Sequence, residues 1–500
     1  MTENKKIDEL IKIRIEKLQK LKDSGVDPYP HNYNPNSSVQ FILKEENKLI
    51  ASNDLVSVAG RIVSIRKMGK ALFINIQGEY DRLQCYVSNK NMDIDDESYM
   101  ILINNIDLGD IVGVEGKMFY TKTNEYTLRS HNFLLLSKSI RPLPNLKEKE
   151  GESFNSFNDK ELRYRNRHID LIANPKNKKI FVKRHLMVNS FRNYLNKNNY
   201  IEVETPVLQP IYGGANARPF TTHHHTLDEK LYLRIAVELY LKRLIIGGFS
   251  KVYEMSKNFR NEGMDRNHNP EFTMLEFYES YSDVYDMMDF TEDMIKFVIK
   301  EVGEKNISFD NNIINFSNKF NRISLDELFK DEFNESGLLQ NEEKLRDIGS
   351  KLNIDENYDF GKLIDKIYSI KIEPKLIQPT FVYDYPKILS PLSKIKRSQN
   401  LDIVERFELF IGGMEIANGF SELNDPIDQR ARFVSQEKLK AKGDAEAQVL
   451  DENFLEAMES GMPPTGGVGI GIDRMVMILT GQTSIKDVIL FPSMRHISSK

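Results

Sequence analysis

Residues 252–262 read VYEMSKNFRNE, and strand alternation sorts them by chemistry. Glu254, Ser256, Asn258, Arg260 and Glu262 fall on one face; Tyr253, Met255 and Phe259 fall on the other. A solvent-facing strand would explain an all-polar side, but the next strand, Glu271–Ser280, argues against it. That strand follows the loop Gly263–Pro270. It places Phe272, Met274, Glu276 and Tyr278 on one face and Thr273, Leu275 and Phe277 on the other. A carboxylate inside an aromatic stripe is costly unless it has a partner. At ~3.3 Å per residue, Phe272 and Glu276 stand ~13 Å apart on one face, which suits a long ligand with a ring at one end and a cation at the other. The two strands form a floor with a ring-stacking residue, an arginine for an anion and a carboxylate for an amine.

Two later segments add to it. Phe407–Leu423, FELFIGGMEIANGFSEL, turns at Gly412-Gly413 and then lays Asn418, Phe420 and Glu422 on one face. Glu408 and Glu415 flank the double glycine. Two carboxylates on adjoining elements can seat Mg²⁺, which takes its remaining ligands from phosphate and water. A pair of surface glutamates fits the same spacing. Thr465–Thr480, TGGVGIGIDRMVMILT, has glycines that admit close approach, with Arg474 opening an apolar helix. It is neither a GxxxxGK[ST] loop nor a GxGxxG after a strand, so the usual nucleotide folds are not indicated. Arg260, Arg266, Arg474 and His268 together suffice to neutralise a polyphosphate.

Upstream the pattern differs. Residues 5–22 carry Ile7, Leu10, Ile11, Leu18 and Leu21 at helical spacing among lysines and glutamates, which fits either a solvated helix packed on a neighbour or an RNA contact. From Asp54 to Ser139 short strands alternate: Leu72, Ile74 and Ile76 against Phe73, Asn75 and Gln77, then Leu83, Cys85 and Val87 against Arg82, Gln84 and Tyr86. About five strands in so short a stretch indicate a small antiparallel barrel. Its outward face carries Phe73, Gln84 and Tyr86 with Arg61, Arg66, Lys67 and Lys70 nearby, groups that stack and read unpaired bases. The formal charge of −5 excludes a wholesale basic surface but not such a local patch.

The polar stretch after Arg141-Pro142-Leu143-Pro144 reads as a linker. From about Leu162 onward the chain reads as one large unit of helices and strands, interrupted at about 305–379 by a polar segment of short helices. Ile180–Asn198 is a helix running into the strand Tyr200–Val203, which Pro206 halts. One cysteine, Cys85, cannot form an internal disulfide. With no long apolar stretch and no apolar block near the start, the expectation is a cytosolic chain with no membrane partner.

These segments resemble the class II aminoacyl-tRNA synthetases and, within them, the lysyl-tRNA synthetases. Tyr200–Pro206 (YIEVETP) is similar to the first class motif, Arg260–Glu271 (RNEGMDRNHNPE) to the second and Gly469–Arg474 (GIGIDR) to the third. The lysine branch is indicated by Gly213–Phe220 (GGANARPF), Glu238–Lys242 (ELYLK), Phe272–Tyr278 (FTMLEFY) and Glu415–Asp425 (EIANGFSELND). The resemblance implies an α+β fold: an OB-fold β-barrel that binds the tRNA anticodon, then a catalytic domain with an antiparallel sheet flanked by helices. The expected layout is an N-terminal helical segment at 1–50, the barrel at 51–145, a linker at 146–170, and the catalytic domain at 171–500 with a helical insertion at about 305–379. It also implies a homodimer through the first motif.

Residue roles follow from the same resemblance. Arg260 would hold the ATP α-phosphate, Glu262 the adenine edge, and Phe272 and Arg474 the two adenine faces, with His268, Asn269 and Glu415 completing the ATP site; Arg260, Glu262, His268 and Arg474 are the catalytic set. Gly214, Glu238, Glu276, Tyr278, Asn418, Phe420 and Glu422 would form the lysine pocket. Glu408 and Glu415 would seat Mg²⁺. Arg61, Phe73, Gln84 and Glu125 would read the anticodon. One departure stands out: bacterial relatives usually have Arg directly before the His-Asn-Pro of the second motif, where this chain has Asn267, with Arg266 one residue earlier. The implied reaction is ATP-dependent formation of lysyl-adenylate and transfer to the 3′ end of tRNA(Lys). The alternatives are a protein-lysylating paralogue, which typically lacks the barrel, and a catalytically silent RNA-binding scaffold.

Overall fold

Leu72, Ile74 and Ile76 are fully buried together with Cys85 and Val87, while Phe73 and Tyr86 stay on the outer surface. The cause is the two-residue repeat, which sends alternate side chains to opposite faces. The computed structural model describes residues 3–144, 146–149, 152–155, 157, 159–303, 307–398, 402–441 and 447–496. In it, β1 (Val56–Met68), β2 (Ala71–Gln77), β3 (Arg82–Ser88), β4 (Ile111–Tyr120) and β5 (Tyr126–Ser137) close a barrel in the order β1-β2-β3-β5-β4. Four of its five pairings are antiparallel, and β3 runs parallel to β5. Closure leaves no open sheet edge.

The N-terminal helix, α1 (Glu3–Asp23), packs largely through polar anchors rather than a full apolar stripe. Arg14 donates to the carbonyls of Leu108 and Ser139 at 2.9 Å each, and Lys17 pairs with Asp107 at 2.5 Å. Leu21 is buried, whereas Leu10, Ile13 and Ile15 remain exposed. In the expected linker, a two-stranded hairpin spans Leu146–Lys149 and Glu152–Asn155, and two short helices follow at Lys160–Arg165 and Arg167–Ala173. Buried Asp170 holds those helices through Arg163 and Arg167. Positions 145, 150, 151, 156 and 158 lie outside the described residues.

The chain divides into two compact units, Met1–Lys178 and Lys179–Lys500. In the second, an eight-stranded sheet runs β9 (Asn321–Ser324), β10 (Thr380–Pro386), β11 (Ile403–Ile411), β12 (Met414–Ser421), β13 (Thr465–Gly471), β8 (Glu271–Ser280), β7 (Lys251–Phe259) and β6 (Ile201–Glu202). The six central strands are antiparallel as expected; each edge strand pairs parallel to its neighbour, so the sheet is mixed. One face is covered by α2 (Lys178–Lys197), α3 (Val284–Val302) and α4 (Ile472–Thr480), which bury Met187, Phe191, Ile295, Val298, Met475 and Ile478 against sheet residues such as Leu275 and Phe407. An Asp283/Asp286 capping box starts α3 by satisfying its free amides.

The segment expected as a helical insertion holds helices at Leu325–Phe333, Glu342–Lys351 and Phe360–Lys371, preceded by a hairpin and by edge strand β9. Residues 304–306 lie outside the described residues. Leu325, Phe329, Leu345, Ile364 and Ile367 form their own core against Val382, Val404 and Phe410 of the sheet.

Candidate active site

The other face of the sheet is hollow because its middle strand has little side chain. On β13, Gly467, Gly469 and Gly471 line a cavity of about 310 Å³. Register puts Gly467 between Tyr278 and Phe420, and Gly469 between Glu276 and Asn418. A Cβ on Gly467 would lie 2.1 Å from Glu422 Oε1 and 2.4 Å from Tyr278 Cε1, so only glycine allows both to approach. Gly214, at φ +82°, similarly brings the backbone against Glu238 at the rim.

At one end the cavity is bounded by Arg260, Glu262, His268, Asn269, Phe272, Glu415 and Arg474. The Arg260 guanidinium lies 5.1 Å from the Phe272 ring centre, and its Nε is buried without a hydrogen-bond partner. Burial lowers the Arg260 pKa, although Glu262, Glu415 and Glu276 favour its charge. Asp265 engages His268 Nδ1 at 2.8 Å, which assigns the proton there and leaves Nε2, 3.1 Å from Arg474, as the acceptor. Arg474 also donates to the Glu415 carbonyl at 2.7 Å. Asn269 is held between the Glu271 carbonyl and the Ser493 amide.

At the other end stand Glu238, Glu276, Tyr278, Asn418, Phe420 and Glu422, with Glu238, Glu276, Tyr278 and Glu422 almost fully buried. The Tyr278 hydroxyl donates to Glu276 Oε2 at 3.2 Å. Burial first, then the Glu238 charge, pushes Glu276 up to about 7. Burial raises Glu422 as well, opposed by Lys242 and reinforced by Glu238. Behind this end, and not lining the cavity, lies Lys242, 2.5 Å from Glu238 and also paired with Glu422.

The polar face of β7 divides. Arg260 and, beyond the strand, Glu262 reach the cavity, whereas Glu254 is buried in an ion pair with Arg234 at 2.6 Å and a hydrogen bond from Thr205 at 2.7 Å. On the barrel, the Phe73 ring packs tilted against Tyr86 at 5.0 Å beneath Arg66, and the outer hollow that the two rings line also includes Phe119 and Arg129. Arg129 lies 4.1 Å from the Phe119 ring centre. Gln84 donates to Thr127 Oγ1 at 2.7 Å, Arg61 donates to the Gly109 carbonyl at 2.7 Å, and Glu125 is exposed; none of the three lines that hollow. Lys67 and Lys70 are engaged by Asn104 and Asp96.

A family model described as tRNA synthetases class II (D, K and N) matches residues 159–495, and one described as an OB-fold nucleic acid binding domain matches 56–136. The chain is 48% identical over 491 residues to the lysine–tRNA ligase of Azobacteroides pseudotrichonymphae, covering 96% of this chain and 97% of that one. It is 48% identical to the lysine–tRNA ligase of Porphyromonas gingivalis (97% and 85% covered) and 46% identical to that of Carboxydothermus hydrogenoformans (99% of each). The chain belongs to the class II lysine–tRNA ligases. Arg266 of this synthetase is directed away from the cavity, to the Thr483 carbonyl and Asp310, while Asn267 lines it.

Glu408 and Glu415 lie on adjoining strands of the synthetase. Burial, opposed by Arg406 and reinforced by Glu415, raises Glu408 to about 7. Such mutual repulsion is what a divalent cation relieves, so the donor set suits one. Arg406 and the Tyr385 hydroxyl already engage Glu408. No group of three or more acidic, histidine or cysteine side chains suited to a metal occurs among the described residues.

Sequence reasoning missed Lys242, Arg234, Arg406, Phe119 and Arg129 as members of these sites. Lys242 was signalled by its i,i+4 spacing from Glu238. Phe119 and Arg129 were signalled by alternation in β4 and β5. Arg234 and Arg406 carried no local signal, because their partners come from the fold.

Proposed function

We propose that the synthetase activates L-lysine with ATP and transfers it to the 3′ end of tRNA(Lys). The supporting observation is that one cavity carries a buried, partnerless Arg260 Nε near one end and a buried, partnerless Glu422 Oε1 at the other. Unsatisfied buried donors and acceptors are expensive, and a ligand with an anion and an ammonium satisfies both. Lysine aligned this way presents its carboxylate to the ATP α-phosphorus beside Arg260. Attack forms the acyl–phosphate bond and expels pyrophosphate; the tRNA ribose hydroxyl then takes the lysyl group and AMP leaves. The protein supplies alignment and charge stabilisation rather than a nucleophile.

In this reading Phe272 and Arg474 flank the adenine, Glu262 meets its edge, and His268 and Asn269 steady the phosphates. Tyr278, Asn418, Phe420 and Gly214 shape the lysine pocket around Glu238, Glu276 and Glu422. Glu415 and Glu408 would hold Mg²⁺, which when bound neutralises phosphate charge. The barrel, residues 51–145, would read the anticodon, with Phe73 as the stacking residue. A second copy would dock on the first-motif surface, where Val182, Leu186, Ile201, Val207 and Leu208 are exposed. No helix among the described residues is long and apolar enough to cross a membrane, and a cytoplasmic location is proposed.

Amino-acid-dependent ATP–pyrophosphate exchange across all twenty amino acids tests the reading. Exchange with lysine followed by charging of tRNA is expected; exchange with another amino acid alone, or with none, refutes it.

A further inference from the structure

Lys242 is a buried charge behind the substrate pocket, paired with two of its carboxylates, to which the lysylation reading gives no part. It projects from the helix Glu238–Ile246, is 1% exposed, and lies 5.3 Å from the Phe420 ring centre. Its ammonium meets Glu238 through Oε1 and Glu422 through Oε2. Glu422 Oε1 stays buried with no protein partner, facing the floor at Gly467.

We propose that Lys242 is a resident counter-ion that sets the charge of the lysine pocket, taking one oxygen from each of Glu238 and Glu422 and leaving the other oxygen of each to the amino groups of the substrate. The inference rests on the lysine reading of the site. Three carboxylates, Glu238, Glu276 and Glu422, face Lys242 and Arg260, while Arg406 on the cavity wall is offset by its pair with Glu408; the balance is one negative charge for a substrate of net charge plus one. Burial opposes the Lys242 charge, but Glu238 and Glu422 outweigh it and hold the ammonium protonated. Without it the three carboxylates would be left to Arg260 and to Arg406, which Glu408 already engages, and burial would favour a proton on one of them. A neutral acid no longer attracts the ε-ammonium. It also penalises less a substrate chain that ends in a methyl group.

The test compares wild type, Lys242→Met, Glu238→Gln and the double variant by pyrophosphate exchange with lysine, with norleucine (which lacks the terminal ammonium) and with varied ATP. Wild-type failure to exchange with lysine overturns the lysine reading itself. With wild type active, Lys242→Met is expected to raise the lysine KM about tenfold or more, to leave the ATP KM unchanged and to shrink the preference for lysine over norleucine. An unchanged lysine KM, or lysine and ATP KM rising together with a lowered melting point, overturns the inference. If Lys242→Met does not fold, the double variant, which removes one charge of each sign, carries the test against Glu238→Gln alone. The double variant returns the pocket to its wild-type balance of one negative charge, so its lysine KM is expected at or below that of Glu238→Gln; a further tenfold loss contradicts it.

Discussion

Tyr278 donates its hydroxyl hydrogen to Glu276 from two residues along the same strand, and both side chains are almost completely buried. The bond favours the carboxylate only weakly against burial and Glu238, which push Glu276 up to about 7. Gripping an ammonium requires the ionised form. The lysine KM is therefore expected to fall as pH rises from 6 to 8. Glu276→Gln should raise the lysine KM and abolish that slope; a pH profile of exchange in which the slope survives the substitution removes Glu276 from the role.

Arg260→Ala deletes the guanidinium at the phosphate end, where its Nε has no protein partner. Loss of transition-state charge stabilisation of this kind lowers rates about 10²–10³-fold. Exchange should fall at least that far while the circular dichroism spectrum and melting point stay near wild type, because no ion pair of the fold is lost.

Gly467→Ala places a methyl group 2.1 Å from Glu422 Oε1. Glu422 and Tyr278 must both turn aside to admit it, which displaces the amine end of the pocket. The lysine KM is expected to rise by an order of magnitude or more, with the ATP KM little changed, since the clash lies at the amine end. Equal effects on both constants would mean that the sheet itself had shifted.

Phe73→Ala removes the ring that packs with Tyr86 under Arg66. Stacking of a base on an aromatic ring is worth about 1–3 kcal/mol, so the KM for tRNA should rise about 5- to 150-fold. Pyrophosphate exchange, measured without tRNA, should be unaffected.

Arg234→Met strands the Glu254 carboxylate, whose ion pair is buried on both sides. Breaking such a pair costs about 3–5 kcal/mol, and the melting point should drop accordingly. Arg234→Met/Glu254→Gln should recover most of the loss, because no lone charge then remains buried.

The barrel's inward residues and the pocket face of β8 were legible from alternation alone, because period-two patterning is a local property of the chain. So was the need for a ligand between Phe272 and Glu276, since an aromatic stripe does not bury a carboxylate without reason. The destination of Glu254 was not legible. It shares a face with Arg260 in sequence, yet Arg234 captures it within the fold. Arg61 and Gln84 share the barrel with Phe73, yet each bonds to its own barrel rather than lining the hollow.

What the sequence by itself determined was the inventory and its parity: which strands exist, which face each side chain takes, and which class of chemistry those faces allow. Tertiary structure alone decided the partners. Glycines of β13 open a cavity only because register sets them between Glu276, Tyr278, Asn418 and Phe420. Lys242 comes to hold two pocket carboxylates only because Glu422, far along the chain, is folded against it. Periodicity is written over a few neighbouring residues, whereas electrostatic pairing depends on distances that exist only once distant segments have packed.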